Sequence, residues 1–266
     1  IAKGIDNKLA QEGISKSDVQ GVGVGVPGPV RGDGVVNRCV NLGWGTVNVA
    51  EELGTLTGLT VKVGNDANVA ALGEMYQGGA KGCKDVVMVT LGTGVGGGIV
   101  LDGKIVTGSH GAGGELGHMP VVYDETATCG CGKKGCLEQV ASATGIVKET
   151  VKLLQSEDMP SVLRDNDNFT AKDVFDAAKE GDVLALKAVD KLGEYLGIAL
   201  SHIACVVDPD VFIIGGGVSK AGSFLIDAIT KHYVEKAFHQ CRKTPVKLAT
   251  LGNSAGIYGA AKLVLC

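Results

Sequence analysis

The sequence predicts a glycine-rich α/β protein. Two near-continuous apolar runs, residues 86–91 and 211–214, have the composition of strands buried on both faces, and each opens directly into glycines. Helical periodicity fills much of the rest, most extensively from Asp182 to about Val207. Hydrophobic residues make up 45% of the 266 positions and glycine supplies 42, enough for a sizeable core laced with tight turns.

In order along the chain, residues up to about Gly13 form an amphipathic helix with Ile1, Ala2, Ile5 and Leu9 on one face. Val22-Gly23-Val24-Gly25-Val26 alternates as a strand and stops at Pro27-Gly28-Pro29, where proline ends the pairing. A hairpin-like stretch passes Asp33-Gly34 and enters the loop Asn41-Leu42-Gly43-Trp44. Residues 49–56 read as a short helix and 60–63 as a strand. That strand runs out into Asn65-Asp66-Ala67-Asn68, after which Val69, Ala70, Leu72 and Met75 open a further helix. The run 86–91 breaks at Gly92-Thr93-Gly94 and resumes as a strand over 95–101, followed by the type I′ hairpin signal Asp102-Gly103. Thr170 with Asp173 is a capping pair, and the long helix after Asp182 ends at Asp208-Pro209. Gly193 and Gly197 within it are spaced for the close approach of another helix. The strand 211–214 enters Gly215-Gly216-Gly217, and a helix, a strand over 246–251 and a terminal helix over 254–265 complete the chain.

Net charge of −4 leaves no electrostatic footprint for nucleic acid or an anionic membrane, and no apolar run reaches bilayer length. Of eight cysteines, Cys39, Cys83, Cys205, Cys241 and Cys266 are scattered without disulfide-like spacing, which fits a reduced, cytoplasmic setting. The remaining three belong to the most informative motif, His118-x10-Cys129-x-Cys131-x4-Cys136. Three thiolates and an imidazole complete the first shell of a tetrahedral structural Zn²⁺, with no position open for water. Unpaired thiols or a disulfide set are the competing reading. Gly130, Gly132 and Gly135 can supply positive φ, and Lys133 and Lys134 offset thiolate charge. A closed metal site holds a loop instead of activating water, so the chemistry is expected beside it. Glu115 and Glu138 flank the motif, and two carboxylates fixed on one scaffold suit a polyol, whose buried hydroxyls each need a partner. The plain alternative is two surface glutamates.

Asp66 sits where a strand runs into a helix, the end of an α/β sheet at which ligands bind. It reads either as a proton acceptor for an attacking hydroxyl or as an ordinary N-cap. Gly92-Thr93-Gly94 is a turn whose amides and hydroxyl can converge on phosphate oxygens, although no Walker lysine follows and the next element is a strand. Gly215-Gly216-Gly217 allows a nucleoside to lie on the backbone, or makes a tight turn. Trp44, the single tryptophan, can stack on a sugar or anchor packing.

Taken together, Leu91-Gly92-Thr93-Gly94-Val95-Gly96-Gly97-Gly98, Glu115-x-Gly117-His118 and Cys129-Gly130-Cys131-Gly132-x-x-Gly135-Cys136-Leu137-Glu138 resemble the ROK family of sugar kinases, repressors and uncharacterised reading frames. Asn65-Asp66-Ala67-Asn68, Val26-Pro27-Gly28-Pro29 and Asn41-Leu42-Gly43-Trp44 are most similar to its bacterial ATP-dependent glucokinase branch, and the resemblance runs from about Val22 to the end of the chain. It implies an actin-like ATPase, ribonuclease-H-like two-lobe fold with the sugar in the cleft between the lobes. Residues 1–78 plus 253–266 are expected in a small lobe, and 79–252 in a large lobe carrying the zinc loop and the nucleotide-binding elements. The resemblance implies phosphorylation of glucose at the 6-hydroxyl, with Asp66 as catalytic base and Asn65, Glu115, His118 and Glu138 on the other hydroxyls. His118 would bind Zn²⁺ through one nitrogen and reach the sugar through the other. Gly92, Thr93 and Gly94 would meet the phosphates of ATP, which Mg²⁺ accompanies, and Gly215, Gly216 and Gly217 the nucleoside. A homodimer is also implied. Family kinases open with a strand and an Asp-x-Gly-Gly-Thr phosphate hairpin. This sequence carries no such segment, so the expectation is a small lobe lacking its N-terminal part, with weakened ATP binding. A ROK sugar-responsive repressor, or a kinase for N-acetylmannosamine or fructose, are the alternatives.

Overall fold

A computed structural model of the chain describes residues 1–37, 39 and 42–265. Asn41 of the predicted loop lies outside the described residues. The chain forms two compact units. Unit 1 comprises Ile1–Lys84, Gly98–Gly114 and Thr250–Cys266, and unit 2 comprises Asp85–Gly97 and Glu115–Ala249.

Unit 1 begins with helix α1 (Ala2–Glu12), closed by Gly13 in the left-handed region as its position predicts; none of its residues is buried. Strand β1 (Val22–Val26) pairs in parallel with β4 (Val61–Asn65), in a register running from Val22 opposite Val61 to Val26 opposite Asn65. Between them, β2 (Val35–Val36) and β3 (Val47–Asn48) pair antiparallel ahead of α2 (Val49–Thr57), whose N-cap Asn48 accepts from the Glu51 amide. Val26, Val30, Val36, Cys39 and Val49 form a buried cluster there, with Trp44 packed against it. The tryptophan thus serves as a packing anchor.

Helix α3 (Asp66–Gln77) meets the terminal helix α9 (Ala255–Val264) backbone to backbone. A Cβ on Gly259 would lie 1.7 Å from the Val69 carbonyl oxygen, and one on Gly73 would lie 2.0 Å from that of Ala255. Only glycine allows this approach. The predicted strand over 246–251 stops early, in β9 (Val246–Leu248): the Ala249 amide still donates to Ile214 O of the neighbouring strand at 2.9 Å, but the amides after it have another acceptor. Those of Thr250 (3.1 Å) and Leu251 (2.9 Å) donate to the carboxylate of Glu74, which is fully buried in α3 and also takes the Gly79 amide at 2.8 Å.

Unit 2 is built on β5 (Val86–Leu91), which pairs in parallel with β8 (Val211–Gly215), itself parallel to β9. Every residue of β8 is buried, as its uninterrupted apolar run predicts. On the other side of β5 comes β6 (Val95–Leu101), whose first residues belong to unit 2 and whose last belong to unit 1. There it turns through Asp102 (φ 46) and Gly103 (φ 73) to pair with β7 (Lys104–Ile105), the predicted I′ hairpin. Residues 98–114, expected in the large lobe, cluster instead with unit 1. Buried Asn68 of α3 explains the difference: its side chain takes the Ile99 amide at 3.3 Å and donates to the Gly113 carbonyl at 3.2 Å.

The helices of unit 2 are α4 (Leu137–Ala141), α5 (Ala143–Ser156), α6 (Ala171–Lys179), α7 (Val183–Val207) and α8 (Ser223–Lys236). Thr170 and Asp173 make the predicted capping box on α6. Gly193 and Gly197 of α7 lie against the backbone of α8, where added Cβ atoms would fall 2.5 Å from Ala228 O and 2.7 Å from His232 Cβ. Their role is packing, as the spacing predicts. Among the described residues no helix is long and apolar enough to cross a membrane.

Candidate functional site

In unit 1, β4 delivers Asn65 and Asp66 to the start of α3. The cap is Asn65, whose Oδ1 accepts from the amides of Ala67 (3.0 Å) and Asn68 (3.1 Å) while Nδ2 donates to the Gly28 carbonyl at 3.1 Å. Both oxygen lone pairs of Asn65 are engaged, so one N–H is what remains for a ligand. Asp66, the first helical residue, is exposed, and among the described residues its Oδ1 accepts only from the neighbouring Ala67 amide at 2.8 Å. The N-cap reading of Asp66 therefore gives way: its neighbour does that work and leaves the carboxylate available.

In unit 2, the ligand atoms of His118, Cys129, Cys131 and Cys136 all lie within 4.8 Å of one another. Cys131 Sγ stands 3.6 Å from Cys136 Sγ, and Cys129 Sγ 3.8 Å from His118 Nδ1. Metal bonds of about 2.0–2.3 Å in a tetrahedron give edges of about 3.5–3.8 Å, which these two distances match, while the four-ligand set as a whole spans up to 4.8 Å. The loop is shaped by the Cys129 amide donating to Lys133 O (2.7 Å) and the Gly132 amide to Cys129 O (2.8 Å). Gly132 (φ 87) and Gly135 (φ 72) take positive φ, whereas Gly130, also expected there, does not. At Gly135 a Cβ would lie 1.7 Å from the Val122 carbonyl oxygen. Burial pushes the Cys129 thiol up to about 12 and Cys136 upward too, whereas the Lys133 backbone amide draws Cys131 down.

The carboxylates flank this cluster as predicted. Glu138, near the start of α4, places Oε1 3.5 Å from His118 Nδ1 and accepts from the Cys129 thiol at 2.9 Å. Glu115 Oε2 lies 3.9 Å from the other ring nitrogen, Nε2. His118 therefore turns Nδ1 toward the sulfurs and Nε2 toward Glu115. Glu138 Oε2 also abuts the glycine turn, since a Cβ on Gly94 would come within 2.9 Å of it.

That turn, Gly92-Thr93-Gly94, joins β5 to β6. Gly92, Thr93 and Gly217 line a cavity of about 340 Å³ with Ala143, Phe175 and Val218, and Lys172, Lys179 and Lys220 also contribute to its wall. Gly215 is buried inside β8, and Gly216 (φ 85) turns the chain against Leu91; of the three glycines Gly217 lines the cavity. Sequence reasoning missed Phe175, Val218 and the lysines, because an apolar or basic residue in a helical pattern gives no sign of facing a cavity. The capping serine Ser142 ahead of α5 was a usable signal for the neighbouring wall.

The sequence profile of the ROK family matches residues 1–266. The chain belongs to the ROK family. Among its relatives, a glucokinase of Halalkalibacterium halodurans is 44% identical over 269 residues, covering 99% of this chain and 82% of the relative. A solved ROK glucokinase from Streptomyces griseus, in complex with glucose and AMPPNP, matches with a TM-score of 0.75 and 35% identity over 99% of this chain and 86% of that one. A ROK transcriptional regulator, homologous to the E. coli MLC protein, matches with a TM-score of 0.84 and 29% identity over 99% of this chain and 66% of its own. The fold is the actin-like α/β fold of ROK sugar kinases, as the motifs implied.

Proposed function

We propose that this chain phosphorylates glucose at the 6-hydroxyl with ATP, forming glucose 6-phosphate and ADP. Asp66 accepts the hydroxyl proton as the sugar oxygen attacks the γ-phosphorus and the bond to the β,γ-bridging oxygen breaks. Glu115, His118 and Glu138, with the remaining N–H of Asn65, hold the other hydroxyls. Gly92, Thr93 and Gly94 meet the phosphates, and the cavity walled by Phe175, Val218 and Gly217 takes the nucleoside. Mg²⁺ bound to ATP would neutralise phosphate charge during transfer. Zn²⁺ on His118 Nδ1, Cys129, Cys131 and Cys136 has a structural role, fixing the loop on which the carboxylates stand. We place the enzyme in the cytoplasm as a homodimer.

The observation that carries this reading is the pair of carboxylates set on the two ring nitrogens of His118, at 3.5 and 3.9 Å, within a four-ligand metal-type cluster. Rigid acceptors of this kind suit a polyol. The test is a hexose panel with coupled detection of ADP, in which glucose is the preferred acceptor. Glucose ranking below N-acetylmannosamine or fructose refutes the substrate, and absence of ADP with every hexose refutes the kinase. The second reading, a sugar-responsive repressor, is favoured by the likeness to the ROK regulator. Against it stands Asp66, whose carboxylate is spared from capping although sugar binding alone has no use for a base. Sugar-dependent binding to an operator DNA, without ATP turnover, would decide for the repressor.

A further inference from the structure

The carbonyl oxygens of a phosphate-binding turn are a liability, because they repel the anion that its N–H groups attract. In the turn Gly92-Thr93-Gly94 all three are engaged within unit 2. Gly94 O accepts the Gly92 amide at 3.0 Å, Gly92 O accepts the Ala143 amide at 2.8 Å, and Thr93 O accepts the Thr144 hydroxyl at 2.8 Å. Two of these donors come from the first turn of α5. Proton counting fixes the direction of the chain of hydroxyls behind them. Thr144 gives its single hydroxyl hydrogen to Thr93 O, so the 2.9 Å contact between Ser142 Oγ and Thr144 Oγ1 is a donation from Ser142. Buried Ser142 in turn accepts the Gly145 amide at 2.9 Å, as N-cap of α5. The hydrogen bonds run one way, Gly145 N–H to Ser142 to Thr144 to Thr93 C=O, and each polarises the next.

We propose that Thr144, backed by Ser142, is a positioning residue for the phosphate turn: it holds the Thr93 carbonyl away from ATP so that the turn presents donors to the phosphates. This rests on the kinase reading above. The side chain of Thr144 is exposed, so its replacement does not open the core. The experiment titrates MgADP calorimetrically against wild type, Thr144→Val, which keeps the shape and removes the hydroxyl, and Thr144→Ser, which restores it. Steady-state kinetics and thermal unfolding accompany the titrations. Thr144→Val should weaken MgADP and raise the ATP KM by about five- to tenfold, the loss of one hydrogen bond. The glucose KM should stay at its wild-type value, Tm should fall by no more than about 6 °C, the equivalent of one hydrogen bond, and Thr144→Ser should bind MgADP within about twofold of wild type. Wild-type MgADP affinity in Thr144→Val overturns the proposal, as does a serine variant as weak as the valine one or a glucose KM that rises equally. A wild-type protein that neither binds MgADP nor phosphorylates a hexose refutes the kinase reading itself. That outcome is distinct from a competent wild type matched by its valine variant, which removes Thr144 alone.

Discussion

Asp66→Asn separates the two roles that a carboxylate at the head of a helix can have. Asn65 already caps α3, so the helix start does not depend on the Asp66 side chain. What Asp66 adds to stability is one acceptor, 2.8 Å from the Ala67 amide, and a negative charge in the first turn. An exposed first-turn charge is worth about 0.3–1 kcal/mol, and the asparagine keeps an acceptor. At about 2–4 °C per kcal/mol for a chain of this size, Tm should fall by no more than about 4 °C. A general base contributes about 10²–10⁴ in rate, or about 2.7–5.5 kcal/mol of transition-state stabilisation. The two contributions therefore differ enough to be told apart in one variant.

The assay measures ADP release at saturating glucose and MgATP, with glucose affinity followed by calorimetry and unfolding by calorimetric scan. The expected result is a kcat lower by at least about 100-fold, a glucose Kd within about threefold of wild type and the small Tm change above. Turnover within about tenfold of wild type refutes the assignment of the base. Loss of activity together with loss of glucose binding and a large fall in Tm would refute the separation of roles, since Asp66 would then be structural.

Glu74→Gln should lower Tm on the order of 5–15 °C, because an amide turns a donor toward backbone N–H groups that the carboxylate now satisfies, at about 2–4 kcal/mol; scanning calorimetry checks it, and an unchanged Tm removes the clamp. Metal analysis should find about one zinc per chain, and stripping it with a chelator should lower Tm on the order of 10 °C, the equivalent of about 3 kcal/mol. A metal-free protein with unaltered unfolding counts against a structural ion.

Local chemistry was legible because its signals lie within a few residues of one another. The strands at 86–91 and 211–214, the Asp102-Gly103 turn, the Thr170–Asp173 box and the four-ligand loop each announce themselves by a short pattern, and the structure builds them where the pattern stands, with the second strand one residue longer. The reading failed where a residue answers to something distant in the chain. Glu74 is one glutamate in a helical pattern, and its partners Thr250 and Leu251 follow 176 and 177 residues later. Asn68, in the same helix, draws Ile99 and Gly113 into unit 1 and so moves a hairpin that sequence order assigns elsewhere. Asn65 and Asp66 are interchangeable as caps by residue type, and only the backbone decides which is used. The case of Gly94 carries most for function. From sequence it is one glycine of a weak phosphate-turn signal, and Glu138 belongs to a separate metal motif. In the folded chain a side chain on Gly94 would strike Glu138 Oε2 at 2.9 Å. The residue we propose to admit phosphate to the backbone is therefore also the residue that lets the carboxylate stand where it does, so these two motifs form one constraint within unit 2.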